Sequence, residues 1–231
     1  MSMIEKAKRK ASETAVEEWL KLLVLVAEPP LSMQWRQYRL RWHYVRPDGS
    51  CAFFEALELL VKHKLEITSL DVHKVLDVAF DGADEVCENL TLIKGGGGCL
   101  LQEKIVAACA TDFIVLADER KCSKKLGTQW TKGLPVEVVP MAFKPVQMWI
   151  EKRLGGKAIL RPAGTKMGPQ LTDNGNFLLD WQFDSAVDYD WAKVEVDLLR
   201  MPGVVDTGLF IDMVRKVYIG NLDGSIKTWE A

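Results

Sequence analysis

The chain has 231 residues, 48% hydrophobic and 27% charged, with 30 Lys/Arg against 32 Asp/Glu and a formal charge of −2. That is enough chain to bury a core in one or two domains. The near-neutral balance excludes a dedicated nucleic-acid binder, because nothing in it would concentrate polyanions. Five cysteines at irregular spacings, without a CxxC pair, suggest neither a disulfide framework nor a zinc knuckle. The apolar run Leu20–Ala27 is interrupted by Lys21 and too short to span a bilayer. No membrane or nucleic-acid partner is expected, and a reducing, cytoplasmic setting fits best.

The first 53 residues differ from the rest: nine Lys/Arg stand against six Asp/Glu there, and 21 against 26 in the remainder. Residues 3–23 read as a helix from the spacing of Ile4, Ala7, Ala11, Ala15 and Leu22. From Val26 to Cys51 no period is legible. Pro29-Pro30 breaks any helix, and Trp35–Trp42 mixes aromatics with arginines, the composition of a single-strand nucleic-acid patch without a surrounding fold to support one. Periodicity resumes at Phe54, Leu57, Leu60 and Val61. Val75–Phe80 is then a buried strand ending at Asp81-Gly82-Ala83-Asp84-Glu85, with Gly82 expected to make the turn. Leu92-Ile93-Lys94 runs into Gly95–Gly98, a helix begins near Leu100, and a second buried strand, Phe113–Ala117, ends in Asp118. This alternation implies a largely parallel sheet covered on both faces. Beyond residue 130 come a strand at Pro135–Val139, a helix at Val146–Leu154 and a hairpin signal, Leu171-Thr172 and Phe177–Leu179 about Asp173-Asn174-Gly175-Asn176. A helix at Trp191–Leu199 completes a small α+β unit of the split β-α-β kind, and the tail returns to strands that rejoin the first sheet.

Four groups follow strand ends or open helices facing one edge of that sheet. Asp81, Asp84 and Glu85 put three carboxylates into five residues, which equally describes a solvated acidic turn. Lys94 precedes glycines whose N–H groups can converge on an anion or a developing oxyanion; a flexible linker has the same composition. The glycine run lacks both the Gly-Lys-Ser/Thr ending of a P-loop and the dinucleotide fingerprint, so no nucleotide cofactor follows. Glu103 lies in the first turns of the next helix, where a carboxylate suits either a general base or the helix macrodipole. Lys121 is a cation available to a phosphate, or a solvated lysine. His43, His63 and His73 neighbour no metal-ligand pattern.

Asp81–Glu85, Leu92–Gly98, Gln102–Val106, Pro135–Val138, Thr172–Asn176 and Pro202–Phe210 together resemble ribose-5-phosphate isomerase type A, and the four glycines followed by Cys99 resemble its eukaryotic branch. The resemblance covers residues 64–229. It implies an α/β fold, a Rossmann-like mainly parallel sheet (residues 1–131 and 207–231) with a smaller ferredoxin-like α+β domain (132–206) inserted before the C-terminal strands. It also implies an aldose–ketose isomerase interconverting D-ribose 5-phosphate and D-ribulose 5-phosphate through an enediolate, without metal or cofactor, assembled as a homodimer or homotetramer. Glu103 would move the proton between C2 and C1. Asp81, Gly82, Ala83 and Asp84 would hold the sugar, Asp81 aiding ring opening and proton movement between oxygens. Lys94 with Gly95, Gly96 and Gly97 would stabilise the enediolate oxygen, and Lys121 would reach the substrate or its phosphate. A lactonase or CoA transferase on a similar core fits Glu103 less well.

The family's glycine-rich phosphate loop, expected after the first helix, is absent. Val26–Trp35 stands there instead, and it can be encoded as GTA GCG GAA CCA CCA TTG TCT ATG CAG TGG. Read one base earlier, after a codon ending in G, this becomes Gly-Ser-Gly-Thr-Thr-Ile-Val-Tyr-Ala-Val, a copy of the missing loop and its helix. Residues 22–53 are therefore expected to be a shifted reading frame. The alternative is a non-catalytic or severely impaired relative that has lost its phosphate grip.

Overall fold

The computed structural model describes residues 2–24, 70–72, 74–164 and 167–231. Helix α1 spans Met3–Val24, as its periodicity predicts. Strand β1 (Leu76–Gly82) lies parallel to β4 (Ala110–Asp118), which lies parallel to β11 (Val214–Gly220); β12 (Ile226–Glu230) closes the edge antiparallel to β11. The period-2 alternation of a strand sends neighbours to opposite faces. Ile114 and Tyr218 therefore pack with Ala11 and Ala15 of α1. Phe113, Val115, Val217 and Ile219 pack on the other face, with Ala107 of helix α2 (Leu100–Cys109). Both faces of the sheet are covered, as the continuous apolar runs of its strands imply.

A second, short-stranded sheet has the order β10-β3-β2-β5, from β2 (Glu85–Cys87), β3 (Leu92–Ile93), β5 (Cys122–Ser123) and β10 (Leu209–Phe210). The third is wholly antiparallel, in the order β7-β8-β6-β9: β6 (Leu134–Val138), β7 (Lys157–Leu160), β8 (Phe177–Gln182) and β9 (Val204–Thr207). Helix α3 (Phe143–Arg153) connects β6 to β7 and helix α4 (Trp191–Leu199) connects β8 to β9. That order and connectivity make the ferredoxin-like β-α-β-β-α-β unit. Its core is Val136, Val138, Val146, Ile150, Leu179, Trp181 and Leu198.

Two sequence expectations are corrected. The Asn-Gly turn does not close a full hairpin: Leu171 and Phe177 form one isolated bridge, and β8 pairs instead with β6 and β7. The turn serves a different end, because Thr172, Asn174 and Asn176 donate their side chains to the buried Glu137 carboxylate. Three donors on one carboxylate hold the turn against the core rather than against a partner strand. Gly82 does not make the turn at the acidic motif either. It is the last residue of β1 and its φ is not positive; the chain reverses only beyond β2, which pairs antiparallel with β3.

Candidate active site

Strands β1 and β4 run parallel with Gly82 opposite Leu116, so Asp81 and Asp118 emerge at the same carboxyl edge of the sheet, where open α/β folds bind ligands. Lys94 follows β3, and its backbone N–H is fixed by the Gly208 carbonyl at 2.8 Å. Its ammonium is buried and meets three oxygens: Asp81 Oδ2 at 2.8 Å, Glu103 Oε2 at 3.2 Å and the Gly82 carbonyl at 2.6 Å. The Phe210 ring lies 5.4 Å away. Glu103 reaches this point from the first turn of α2. Three of the groups singled out in the sequence are thus one cluster.

The electrostatics of the cluster suit proton transfer. Burial opposes the charge on Lys94, but Asp81 and Glu103 outweigh it and hold the ammonium above its ordinary pKa. Burial pushes the Glu103 carboxyl up; Lys94 opposes this, while Asp81 and Asp84 add to it. The result is an ammonium held in its charged form beside a carboxylate more basic than usual, the pairing that a proton-transfer site uses.

The glycine loop lies beside this cluster. The Gly96 N–H donates to Asp84 Oδ2 at 2.6 Å, and Gly98 N–H to the Gly95 carbonyl at 3.0 Å. Among the described residues the N–H groups of Gly95 and Gly97 have no partner. At Gly96 a Cβ would come within 2.6 Å of Trp130 and 2.7 Å of Asp84, whereas at Gly97 it would meet nothing within 4 Å. Gly96 is glycine because the loop is packed there. Gly97 opens onto unfilled space with its donor free.

Lys121 ends the short 3-10 turn Glu119–Lys121 after β4, with its ammonium 5.8 Å from the Trp130 ring. It lines a cavity of about 210 Å³ with Lys8, Gly82, Ala83, Leu116, Ala117 and Asp118. Gly82 joins this cavity to the Lys94 cluster. Lys8, from α1, lies 3.7 Å from Asp118 and places a second cation here; in the sequence it is hidden among Lys6, Arg9 and Lys10. Glu85 departs from the expectation that the acidic motif aims outward. It is buried and accepts the N–H groups of Gly127, Thr128 and Gln129 at 2.6, 3.0 and 2.9 Å. It supports the loop carrying Trp130 and takes no part in the cluster. Among the described residues no group of His, Cys, Asp and Glu side chains is arranged to hold a metal ion.

Residues 52–224 match the family described as ribose 5-phosphate isomerase A (phosphoriboisomerase A). The chain belongs to the ribose 5-phosphate isomerase A family. It is 54% identical over 177 residues to the ribose-5-phosphate isomerase of Sus scrofa and 53% identical over 177 residues to that of Homo sapiens. Each alignment takes in 77% of this chain, but 57% and 56% of those proteins, so the chain spans little more than half the length of these relatives. The enzyme of Debaryomyces hansenii is 40% identical over 243 aligned positions, covering 99% of this chain and 92% of its own. Among solved structures, ribose 5-phosphate isomerase A of Methanocaldococcus jannaschii superposes with a TM-score of 0.69 at 43% identity, covering 77% of this chain and 76% of that one. A D-ribose-5-phosphate isomerase in complex with phospho-erythronic acid gives 0.71 at 40% identity, covering 77% and 75%. The family resemblance and fold class expected from the sequence are borne out, and nothing in these likenesses favours a non-catalytic relative. The expected reading-frame shift falls almost wholly outside the described residues.

Proposed function

We propose that this chain interconverts D-ribose 5-phosphate and D-ribulose 5-phosphate; its relatives carry the name ribose-5-phosphate isomerase. The observation that carries the reading is the Lys94 ammonium, buried between Asp81 and Glu103 beside a glycine loop with unspent N–H donors. In the aldose-to-ketose direction the Glu103 carboxylate removes the C2 proton. The C2–H electron pair becomes the C1=C2 bond, and negative charge develops on the former aldehyde oxygen. Lys94 and the Gly97 N–H stabilise that oxygen where water would otherwise be required. Asp81 passes the O2 proton to O1, and Glu103 returns its proton to C1. Asp84 holds a sugar hydroxyl, and Lys121 with Lys8 faces the phosphate end, 5-phosphates being well matched by a pair of ammonium groups.

In this reading residues 1–131 with 207–231 form the catalytic domain and 132–206 the smaller one, in a homodimer or homotetramer to be sized by sedimentation velocity. Among the described residues no helix is long and apolar enough to cross a membrane. Among the described residues Cys87, Cys99, Cys109 and Cys122 form no disulfide, which suits the cytoplasm proposed for this chain. We keep the reading-frame proposal for residues 22–53. Genomic codons incompatible with the shifted loop would refute it. The function is tested by assaying ribose 5-phosphate turnover by the chain beside Glu103→Gln. Loss of about 10²- to 10⁴-fold in kcat is expected for removal of a general base; turnover untouched by the substitution would sink the reading.

A further inference from the structure

We infer that Arg161, the residue after β7 in the ferredoxin-like unit, is a positioning residue that aims the glycine loop at the reacting oxygen; the inference rests on the isomerase reading. Its Nη1 donates to the carbonyls of Gly95 at 2.9 Å and Gly96 at 3.2 Å. Its Nε and Nη2 are occupied by the two oxygens of Asp180 on β8, at 2.9 and 2.5 Å. The bidentate pair fixes the plane of the guanidinium, and only 11% of the Arg161 side chain is exposed. The backbone of Arg161 is held as well, donating to Leu178 and accepting from Gln170, both at 2.8 Å.

The consequence follows from the trans peptide, in which C=O and N–H point in opposite directions. The Gly95 carbonyl shares its peptide with the Gly96 N–H, which is the donor to Asp84. The Gly96 carbonyl shares its peptide with the Gly97 N–H, which has no partner among the described residues and belongs to an exposed residue with open space about its Cα. Drawing both carbonyls toward Arg161 therefore turns the one N–H onto Asp84 and the other away from the guanidinium. The adjacent positive charge also polarises both peptides, strengthening the donors on their far side. The Gly95–Gly96 peptide is also held by the Gly98 N–H and by Asp84, whereas for the Gly96–Gly97 peptide Arg161 supplies the hydrogen bond that sets the plane. An oxyanion donor acts well only when its direction is set before the charge develops. The small unit thereby contributes to the chemistry on the large sheet through one side chain.

The test compares the full chain with Arg161→Met and Arg161→Lys for kcat and KM on ribose 5-phosphate, melting temperature, and hydrogen exchange of the Gly95–Gly98 amides. Arg161→Met is expected to lower kcat by about 10- to 100-fold with KM within about threefold, in line with the loss of one aimed donor, and to speed exchange at Gly96 by about tenfold or more. Arg161→Lys, which keeps the charge and one donor, is expected to fall between the two. If Arg161→Met does not fold, Arg161→Lys decides: a kcat lowered several-fold at constant KM supports the inference, and an unchanged kcat overturns it. Losses in kcat and KM that simply track melting temperature overturn it too, as does unaltered exchange at Gly96. A chain without turnover even after the proposed loop of residues 22–53 is restored, with fast exchange in Arg161→Met, would instead count against the isomerase reading and leave the loop-anchoring role standing.

Discussion

Lys94 shows how one side chain sets the properties of its neighbours. A buried ammonium is tolerated only with compensating oxygens, and here Asp81, Glu103 and the Gly82 carbonyl supply them. Removing it leaves two carboxylates facing each other, so Lys94→Met is expected to push the already raised Glu103 pKa further up. A carboxyl-detected NMR titration of Glu103 would check this, and a downward movement would contradict the account. The same sign governs activity: the base must be ionised, so turnover falls as pH drops through a value above the ordinary glutamate range. Asp118 behaves oppositely. Burial alone would raise its pKa, but hydrogen bonding and charge from Arg120, with Lys8 adding, hold it below the ordinary aspartate value. It therefore stabilises the fold above the unfolded pKa, and that contribution fades as pH falls through the folded one. Because Arg120 and Lys8 are half exposed, Asp118→Asn is expected to lower unfolding free energy at pH 7 by only about 1 kcal/mol, a difference that shrinks in acid denaturation curves.

At the scale of elements, two loops are held by carboxylates rather than by their own sequence. Glu85 satisfies three consecutive backbone donors of the 127–129 loop. Glu85→Ala orphans them inside the protein and is expected to lower the urea unfolding free energy by about 2–3 kcal/mol. Because Trp130 moves with that loop, binding should weaken as well. The glycine loop offers a paired comparison. Gly96→Ala drives a methyl into Trp130 and Asp84, so both stability and turnover should drop; Gly97→Ala meets empty space and should keep the melting temperature while affecting turnover. Equal effects of the two substitutions on melting would mean that the loop is not packed as described.

For the whole molecule, the large sheet and the ferredoxin-like unit are joined near the site by Lys104 of α2, which pairs with Glu195 on α4 at 2.9 Å and Asp206 on β9 at 2.5 Å. Thr207 completes the network by bonding to Glu195. Lys104→Ala leaves two partly buried carboxylates uncompensated, and a loss of about 2–4 kcal/mol is expected in denaturant unfolding. Restoring the proposed loop within residues 22–53 should improve both KM and kcat, since phosphate binding energy positions the reacting carbons. Turnover unchanged by the restored loop would show that the replaced segment is immaterial.

Much of this was legible in one dimension because the signals are local. Helix α1, strands β1 and β4 and helix α4 declare themselves by periodicity, and Asp81, Lys94 and Glu103 stand at the strand ends and helix start where an α/β edge gathers its ligands. Their union in one buried cluster depends on three separated segments reaching the same edge, and only the tertiary structure decided that. The same holds for the residues that the sequence kept hidden. Glu85 looks like part of an outward acidic turn until its burial shows which donors it satisfies, and Lys8 is one basic residue among several on a helix face. Arg161 lies 65 positions from the Gly96 carbonyl that it holds. Hydrogen bonds between such distant residues leave no period in the chain, because they are set by where the elements pack and not by the spacing of residues along them.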